Sequence, residues 1–295
     1  MKKVCFVVLH FKEEVATSKC VDSLINNLSY KNKEIIVVDN GSKDGTGQYL
    51  QDHYQSYRDV HVLINEENLG YARGNNVGYL YAKNKIKADY IIILNNDTEI
   101  KQEKFIDTIL ELYKEKKYYV LGPDIYSISN NEHQSPIREQ PITKNELDMY
   151  MNIWNEFEKR KILNKTKYFI KGFLGKEQIE KYRKLKGLNE EKELFKIERE
   201  NVVLHGACLI FSPLFVQEED EAFFPDTFLY FEEDILTYLC LKKSMKLVYS
   251  PLIQVYHYED LSTNKVVKNE YQKELFKIKH QRNSAKVYLK LMSPN

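Results

Sequence analysis

The sequence of 295 residues lacks an excess of charge of either sign, and it lacks any long apolar run. Its 44 basic and 43 acidic residues nearly cancel, and a chain without a basic surplus is not expected to bind nucleic acid. No apolar run reaches the roughly 20 residues that a membrane-spanning helix needs. The apolar run at 4–9 is short and has no small-residue cleavage site after it, so we expect no signal peptide.

Cysteines are few and scattered. The four positions, Cys5, Cys20, Cys208 and Cys240, do not have the spacing of a metal-binding motif. We therefore expect four reduced thiols in a cytoplasmic protein, because disulfides persist mainly in oxidising compartments.

The first third of the chain alternates between predicted strands and predicted helices. Apolar runs predict the strands, and apolar residues at helical spacing predict the helices between them. The predicted strands are 4–9, 34–38, 60–64 and 90–94, and the predicted helices are 15–28, 44–54 and 70–84. Such alternation indicates an α/β fold with a mostly parallel sheet. In such sheets ligands bind beyond the carboxyl ends of the strands, where Asp39 and Asp97 are both expected.

The region 138–199 is rich in lysine and glutamate, and its apolar residues recur every three or four positions. Thr143 and Glu146 fit a capping box at the start of a helix. We interpret this region as a helical insert beside the sheet, because its aromatic content is too high for a disordered linker. Beyond Asn201 the pattern predicts more strands and one helix. The strands are 202–204, 208–211, 228–231, 247–249 and 253–256, and the helix is 235–243.

A polar segment directly after the strand 90–94 is the first candidate site. Asn95, Asn96 and Asp97 place a carboxylate beside amides at the end of a buried strand. This arrangement suits a divalent cation, because Mg²⁺ is usually held by one or two carboxylates together with phosphate oxygens. A polar loop that follows the strand without binding any ligand would have the same sequence.

Asp39 ends the second predicted strand and begins the polar turn 39–46. Its carboxylate, with Ser42 close by in sequence, can accept hydrogen bonds from the base or the ribose of a nucleotide. The alternative is a structural turn in which the carboxylate caps the following helix.

The segment 65–76 is dense in small and polar residues, with a glycine every four positions. We predict that Asn68, Gly70, Arg73 and Asn75 contact the same nucleotide, with Arg73 reaching a pyrimidine or a diphosphate. Close packing of the helix on the sheet, with Arg73 as a solvated charge, explains the same pattern.

Three consecutive acids, Glu232, Glu233 and Asp234, precede the predicted helix 235–243. One of them could be a general base that deprotonates a hydroxyl nucleophile. Carboxylates at a helix N-terminus are also stabilised by the helix dipole, which is the structural alternative. His257, at the end of a predicted strand, is either a metal ligand or a buried structural histidine, and a lone histidine by itself favours the second.

In their order along the chain, six motifs resemble family 2 glycosyltransferases with the GT-A fold. The motifs are Val-Val-Asp39-Asn-Gly-Ser, Asn68-Leu-Gly-Tyr-Ala-Arg-Gly-Asn-Asn, Leu-Asn95-Asn-Asp97-Thr, His-Gly206-Ala, Phe-Leu-Tyr-Phe-Glu-Glu-Asp at 228–234, and Tyr-His257. The similarity extends over roughly residues 3–262. It is greatest to the bacterial branch that builds surface polysaccharides, which includes rhamnosyltransferase-like members.

The resemblance implies a Rossmann-like, mostly parallel central sheet flanked by helices, here with a helical insert and a C-terminal basic helix. It implies an inverting transfer of a sugar from a UDP- or dTDP-sugar to a saccharide or a lipid-linked oligosaccharide, in capsule or surface polysaccharide assembly. The implied cofactor is a divalent cation, Mn²⁺ or Mg²⁺. The implied location is the cytoplasm, at the inner face of the membrane.

For the donor side, the resemblance places Asp39 against the pyrimidine or the ribose, and it places Asp97 with His257 at the metal. Asn95 stands where the family has an aspartate, so Asp97 is the only carboxylate of that motif. The metal would therefore be held more weakly, or through the diphosphate itself.

For the acceptor side, the resemblance implies that Gly206, Ala207 and Glu232 line the acceptor. The base is either Glu233 or Asp234. Position counted along 228–234 favours Glu233, whereas matching by residue type favours Asp234.

We expect a GT-A domain at 1–264 that includes the insert, followed by a basic tail at 265–295 with eight Lys or Arg against two Glu. The tail either packs on the domain or docks on an anionic membrane. A nucleotidyltransferase would need a Gly-rich phosphate loop near Lys12, which the sequence lacks. A non-catalytic sugar-nucleotide-binding protein would not need the acids at 232–234.

Overall fold

The computed structural model of the chain describes residues 1–159, 193–258 and 270–293. Much of the predicted insert, residues 160–192, and the start of the predicted tail therefore lie outside the described residues. Within the described ranges, ten strands form one sheet, and helices cover both of its faces.

The sheet has a parallel N-terminal half and a mixed C-terminal half. Its strands are β1 (Val4–His10), β2 (Lys33–Asp39), β3 (Val60–Ile64), β4 (Tyr90–Asn95), β5 (Thr98–Glu99), β6 (Val120–Ser127), β7 (Glu132–His133), β8 (Arg199–Glu200), β9 (Cys208–Phe211) and β10 (Leu247–His257). The order along the sheet is β3-β2-β1-β4-β9-β6-β10-β5, with β7 beside β6 and β8 beside β10. The first four strands of this order are parallel. β9 is antiparallel to both β4 and β6, and it joins the two halves.

Eight α-helices are present in the described residues. They are α1 (Glu14–Asn26), α2 (Thr46–Tyr54), α3 (Gly70–Tyr81), α4 (Phe105–Lys116), α5 (Lys144–Lys159), α6 (Pro213–Glu218), α7 (Glu232–Lys242) and α8 (Glu270–Met292). The predicted capping box of α5 is confirmed. The backbone N–H of Thr143 donates to the Glu146 carboxylate at 2.8 Å, and the Glu146 N–H donates to the Thr143 hydroxyl at 3.4 Å.

Consecutive residues of β1 belong to opposite apolar layers. Phe6 and Val8 pack in the layer that contains α1 and α4, whereas Cys5 and Val7 pack in the layer that contains α3. Because helices cover both faces, every residue of a central strand must be apolar. This requirement explains why the run at 4–9 shows no polar alternation.

The α/β fold and the alternation predicted for residues 4–94 are confirmed, but three later predictions are wrong. Residues 202–204 do not form a strand, and Val203 makes an isolated bridge to Arg138. Residues 228–231 are not a strand, because Tyr230 and Phe231 have φ angles of 74° and 69° and the chain turns there. The predicted strands 247–249 and 253–256 are one strand, β10, with an irregular register between Ser250 and Gln254.

α8 contains the described part of the predicted tail. Its Ala285 and Tyr288 are fully buried in a cluster with Leu147 of α5 and Ile235 of α7.

The four cysteines are buried and free. In the described ranges, none of the helices has both the length and the apolarity that crossing a membrane would require.

Candidate active site

The C-terminal ends of β1, β2 and β4 bring the predicted motifs to one edge of the sheet. In the β1–β2 register His10 lies opposite Asp39, and in the β1–β4 register Leu9 lies opposite Asn95. The backbone N–H of Asn95 donates to the carbonyl of Ala207 at 2.9 Å. The residues before β9 therefore lie beside the polar segment that follows β4, although about a hundred residues separate them in sequence.

Asn95 and Asp97 are both partly exposed, whereas Asn96 between them is only 9% exposed. The Asn96 amide donates to the Thr17 hydroxyl of α1 at 3.0 Å. Asn96, which was predicted to bind the donor, thus supports the loop against α1. Asn95 and Asp97 are the residues of this segment that remain open to a ligand.

Asp97 and His257 come together at the end of β10. The His257 Nε2 atom lies 3.2 Å from Asp97 Oδ1, and His257 Nδ1 lies 2.8 Å from the Gln134 side-chain oxygen. Ligands at right angles around a Mg²⁺ ion at roughly 2.1 Å lie about 3 Å apart. The pair therefore fits two adjacent positions of one ion.

No cluster of three or more His, Cys, Asp or Glu that could hold a metal occurs among the described residues. A cation at Asp97 and His257 would need further ligands from a diphosphate and water, as is usual for Mg²⁺. This donor set fits a cation that binds together with the nucleotide.

His205 belongs to the same cluster, and the sequence analysis did not single it out. Its ring centroid lies 5.8 Å from that of His257, and its Nδ1 accepts the N–H of Ala207 at 3.1 Å. Burial, together with the charge of His257, lowers the pKa of His205 to about 3. The ring is therefore neutral, with its remaining N–H at Nε2. Its position directly before Gly206 was the only available signal.

Glu233 faces the glycine of the His-Gly-Ala motif. A β-carbon built on Gly206 would lie 2.5 Å from Glu233 Oε1, so this approach requires glycine. The Tyr71 hydroxyl donates to the Gly206 carbonyl at 2.7 Å and holds the loop. Glu233 is partly exposed, and burial, with the neighbouring charge of Asp234, raises the pKa of its carboxyl.

Asp234 has a different environment from Glu233. It is 3% exposed, it forms an ion pair with Arg138, and it accepts the backbone N–H of Ile142 at 2.9 Å. Burial raises the pKa of Asp234, although the Arg138 guanidinium opposes that rise. Asp234 thus anchors the chain that leads into α5 to the first turn of α7.

Glu232 is the most enclosed of the three acids after Asp234, with 5% exposure. Burial, together with the charge of Glu233, raises the pKa of Glu232 to about 8. Its Oε1 atom has no hydrogen-bond partner within the described residues. At neutral pH the carboxyl is therefore largely protonated.

The turn before these acids is held by α8. The Ser284 hydroxyl donates to the Leu229 carbonyl at 2.8 Å, and the rings of Phe228 and His280 stack at 4.8 Å. Because the turn contains two consecutive non-glycine residues with positive φ, such contacts are needed to maintain it.

On the donor side, Asp39 is 2% exposed. Its Oδ1 accepts the Ser42 backbone N–H at 3.2 Å and the Ser42 hydroxyl at 2.5 Å. A β-carbon on Gly47, a residue that the sequence analysis did not name, would lie 2.2 Å from Asp39 Oδ2. Gly47 therefore lets the carboxylate lie against the first turn of α2.

Asn68 and Gly70 form the N-terminus of α3. The side-chain oxygen of Asn68 accepts the Gly70 N–H at 2.9 Å and the Asn40 side-chain amide at 3.1 Å. Gly70 has φ of 80°, and a β-carbon there would lie 2.5 Å from the Phe228 carbonyl oxygen. The same carbonyl accepts the Tyr71 N–H at 2.7 Å. The predicted donor motif therefore contacts the turn of the predicted acceptor motif.

Arg73 and Asn75, both predicted to bind the donor, make protein contacts. The exposed Arg73 guanidinium donates to the Pro225 carbonyl at 2.8 Å and lies 3.4 Å from Asp226. Asn75 is fully buried, and its amide donates to the Tyr71 carbonyl at 3.0 Å. Arg73 thereby ties α3 to residues 225–226, whereas the Asn75 bond lies within α3 itself.

A family model described as "Glycosyl transferase family 2" matches residues 5–181. This match includes the segments around Asp39, Gly70 and Asp97, and it ends before Gly206 and Glu233. The arrangement of the acceptor side is therefore described by geometry alone.

Three curated proteins are similar to part of the chain. The low-salt glycan biosynthesis hexosyltransferase Agl10 of Haloferax volcanii is 29% identical over 114 residues, which are 39% of this chain and 34% of that protein. Glycosyltransferase GlyA of Streptococcus pneumoniae serotype 4 is 29% identical over 44% of this chain and 18% of its own length. Glycosyltransferase GlyG of the same organism is 31% identical over 39% of this chain and 36% of its own length. The aligned parts thus span about a third or less of these relatives.

Solved structures share the fold at low sequence identity. S. aureus TarS 1-349 in complex with UDP has a TM-score of 0.53 and 14% identity, covering 88% of this chain and 61% of that one. The complex of the same protein with UDP-GlcNAc has a TM-score of 0.54 and 13% identity, covering 88% and 59%. The GT-A fold expected from the sequence is confirmed by this likeness.

Proposed function

Because the chain belongs to glycosyl transferase family 2, we propose that it transfers a sugar from a nucleotide-diphosphate sugar to a saccharide hydroxyl with inversion at the anomeric carbon. One observation carries the proposal. A partly exposed carboxylate, Glu233, lies at Gly206, while Ala207, the next residue, accepts the N–H of Asn95 at the end of β4, two residues before Asp97. This closeness supports a base and a diphosphate-binding group at one sheet edge.

In the proposed reaction, Glu233 accepts the proton of the acceptor hydroxyl. The acceptor oxygen forms a bond to the anomeric carbon from the face opposite the diphosphate. The bond from that carbon to the phosphate oxygen breaks, and the nucleoside diphosphate leaves with the electron pair. A raised pKa makes Glu233 a stronger base toward a hydroxyl than an ordinary carboxylate.

Asp97 and His257 would hold the Mn²⁺ or Mg²⁺ ion, and such an ion neutralises negative charge on the leaving diphosphate. His205 presents a neutral N–H in the same cluster. Both features support the binding of a diphosphate here.

For the donor, Asp39 and Ser42 are proposed to contact the base or the ribose, with Asn95 nearer the diphosphate. The two TarS structures are complexes with UDP and with UDP-GlcNAc, which favours a UDP-sugar here and leaves a dTDP-sugar as the second candidate. Asn68, Gly70, Arg73, Asn75 and Asn96 are proposed to shape the donor site through the contacts described above.

For the acceptor, Gly206, Ala207 and Glu232 are proposed to border a saccharide or a lipid-linked oligosaccharide in surface polysaccharide assembly.

The alternative function of a nucleotidyltransferase is disfavoured by the family match. A peripheral membrane contact would have to use the basic outer face of α8, because the apolar residues Ile278, Ala285 and Tyr288 of this helix are buried.

The test compares Glu233→Gln with Asp234→Asn, using sugar-nucleotide hydrolysis and transfer with and without Mn²⁺. Glu233→Gln should lose roughly 100- to 10,000-fold in kcat with little change in donor affinity. Asp234→Asn should mainly lower stability, because it removes one partner of a buried ion pair. Full activity in Glu233→Gln would show that the base is assigned wrongly. The absence of any turnover in the wild type, despite donor binding, would favour a binding protein.

A further inference from the structure

His257 is the last residue of β10, and hydrogen bonds hold its backbone from both sides. The Ile128 N–H donates to the His257 carbonyl at 2.9 Å, and the Tyr258 N–H donates to the Asp97 carbonyl at 2.9 Å. These bonds fix where the imidazole is attached. They do not fix the rotation of the ring or the position of its protons.

The side chain of Gln134 constrains both the rotation of the His257 ring and the position of its protons. Its side-chain oxygen lies 2.8 Å from His257 Nδ1 and accepts the proton at that atom. With the Nδ1 proton used in this way, Nε2 is the ring atom that faces Asp97, 3.2 Å from its Oδ1, and a cation between the two atoms would contact both. A histidine that binds a metal commonly donates its other ring N–H to an oxygen, which fixes its tautomer and orientation.

Gln134 lies on a rigid support. Its backbone N–H donates to the Ile125 carbonyl at 2.8 Å. The neighbouring His133 lies 2.8 Å from the buried Asp124 carboxylate, which also accepts the Gln254 amide at 2.8 Å. These hydrogen bonds hold the hairpin β6–β7 against β10, close to His257.

We propose that Gln134 is a positioning residue that presents Nε2 of His257, together with Asp97, to a divalent cation. The family match ends at residue 181 but includes Gln134, and nothing in that match assigns it a role. The inference rests on one part of the proposed function, namely that the cation binds at Asp97 and His257.

The experiment measures Mn²⁺ affinity, by electron paramagnetic resonance and calorimetry, on the full chain saturated with UDP. Gln134→Leu should weaken Mn²⁺ binding roughly 10- to 100-fold, while UDP affinity in the presence of a chelator stays unchanged. Gln134→Glu keeps an oxygen acceptor for Nδ1 and should retain most of the affinity.

A double-mutant cycle separates positioning from a general structural effect. If Gln134 acts through His257, Gln134→Leu should cause no further loss of Mn²⁺ affinity in a His257→Ala background. Gln254→Leu is the matched control, because it removes an amide contact within the same support and leaves the Gln134–His257 pair intact.

Additive losses in the cycle would overturn the proposal, as would a Gln134→Leu variant that binds Mn²⁺ as tightly as the wild type. A wild type that transfers sugar without binding Mn²⁺ would also overturn it while leaving glycosyl transfer in place. The positioning role of Gln134 and the proposed glycosyl transfer can therefore be contradicted separately.

Discussion

Glu232, Glu233 and Asp234 follow one another on the first turn of α7, and their surroundings divide them into different roles. Asp234 is paired with Arg138, Glu232 is buried, and Glu233 is partly exposed beside Gly206. The sequence left the choice between Glu233 and Asp234 open, because neighbours on a helix point in different directions and their type does not tell which one faces a ligand.

The enclosure of Glu232 should be visible in the pH dependence of stability. Its pKa of about 8 in the fold exceeds the ordinary value of 4.5, so the folded state holds a proton that the unfolded chain releases between these values. The free energy of unfolding should therefore fall as pH rises through this window. Glu232→Gln should reduce that fall and make the protein more stable than the wild type at pH 8.5, by up to about 4 kcal/mol.

Urea denaturation at pH 5 and pH 8.5 measures this difference. The exposed Glu66→Gln variant is the control and should show the wild-type pH dependence. Equal pH dependence in Glu232→Gln and the wild type would mean that Glu232 is ionised in the fold.

The contact of Gly206 with Glu233 allows a second test. In Gly206→Ala the new methyl group would lie 2.5 Å from Glu233 Oε1, so the carboxylate must move. A displacement of that size is expected to lower kcat by roughly 10- to 100-fold, with a smaller change in donor affinity. Gly45→Ala is the control, because Gly45 has φ of 88° and no neighbouring atom within 4 Å of an added β-carbon. It should cost stability and leave kcat intact, and a similar kcat for both variants would contradict this role.

At the scale of elements, the turn 228–231 and α8 depend on each other. Aromatic residues in a row predicted a strand for the turn, and the basic composition predicted a tail. Both predictions treated local sequence in isolation. The positive φ angles of Tyr230 and Phe231 are maintained by contacts from a helix about fifty residues further along the chain, and no local pattern reports such a contact.

Ser284→Ala should therefore affect the turn that leads into Glu232 and Glu233. Loss of its hydrogen bond to Leu229 should destabilise the protein by about 1 kcal/mol and lower kcat more than it changes the KM for the donor. Ser293→Ala is the matched control, since the Ser293 hydroxyl donates to the Leu289 carbonyl in the last turn of α8, away from the turn 228–231. Thermal denaturation and steady-state kinetics on both variants decide the matter. Identical kinetics for the two would contradict a supporting role of α8.

At the scale of the molecule, many strands and helices of both halves could be predicted, whereas the order of the strands in the sheet could not. Residues 4–95 form successive strand–helix units, and periodicity was enough to predict these elements, although it did not predict that β1 pairs with β4. β9 pairs with β4 across more than a hundred residues, and it runs antiparallel. Only the family resemblance predicted that Gly206 and Asp97 belong to one site, because composition and periodicity do not predict which strands pair across such long separations.

The placement of α8 leads to a prediction about truncation. Removing residues 265–295 would expose the cluster around Leu147 and Ile235, so the shortened chain should lose roughly 3 kcal/mol or more of stability. Urea denaturation checks this expectation, and a truncated chain as stable as the wild type would contradict it.

Membrane binding should be tested with the fold intact. A variant with the exposed Lys277, Lys279, Lys286 and Lys290 changed to glutamine keeps the buried face of α8. If the outer face docks on anionic lipid, flotation with anionic vesicles at low salt should recover the wild type and much less of this variant, since each basic residue contributes about 1 kcal/mol. Equal recovery would rule out docking through this face.

The insertion of β9 between β4 and β6 has a consequence for synthesis of the chain. When residue 95 has left the ribosome, the pairings among the first four strands are available, but the strand that covers the other edge of β4 is still more than a hundred residues away. Until then the apolar segment Tyr-Ile-Ile-Ile-Leu at 90–94 presents an unpaired strand edge, which is a template for aggregation. A nascent chain halted before Cys208 is therefore expected to engage a chaperone, and one extended past β10 is expected to release it.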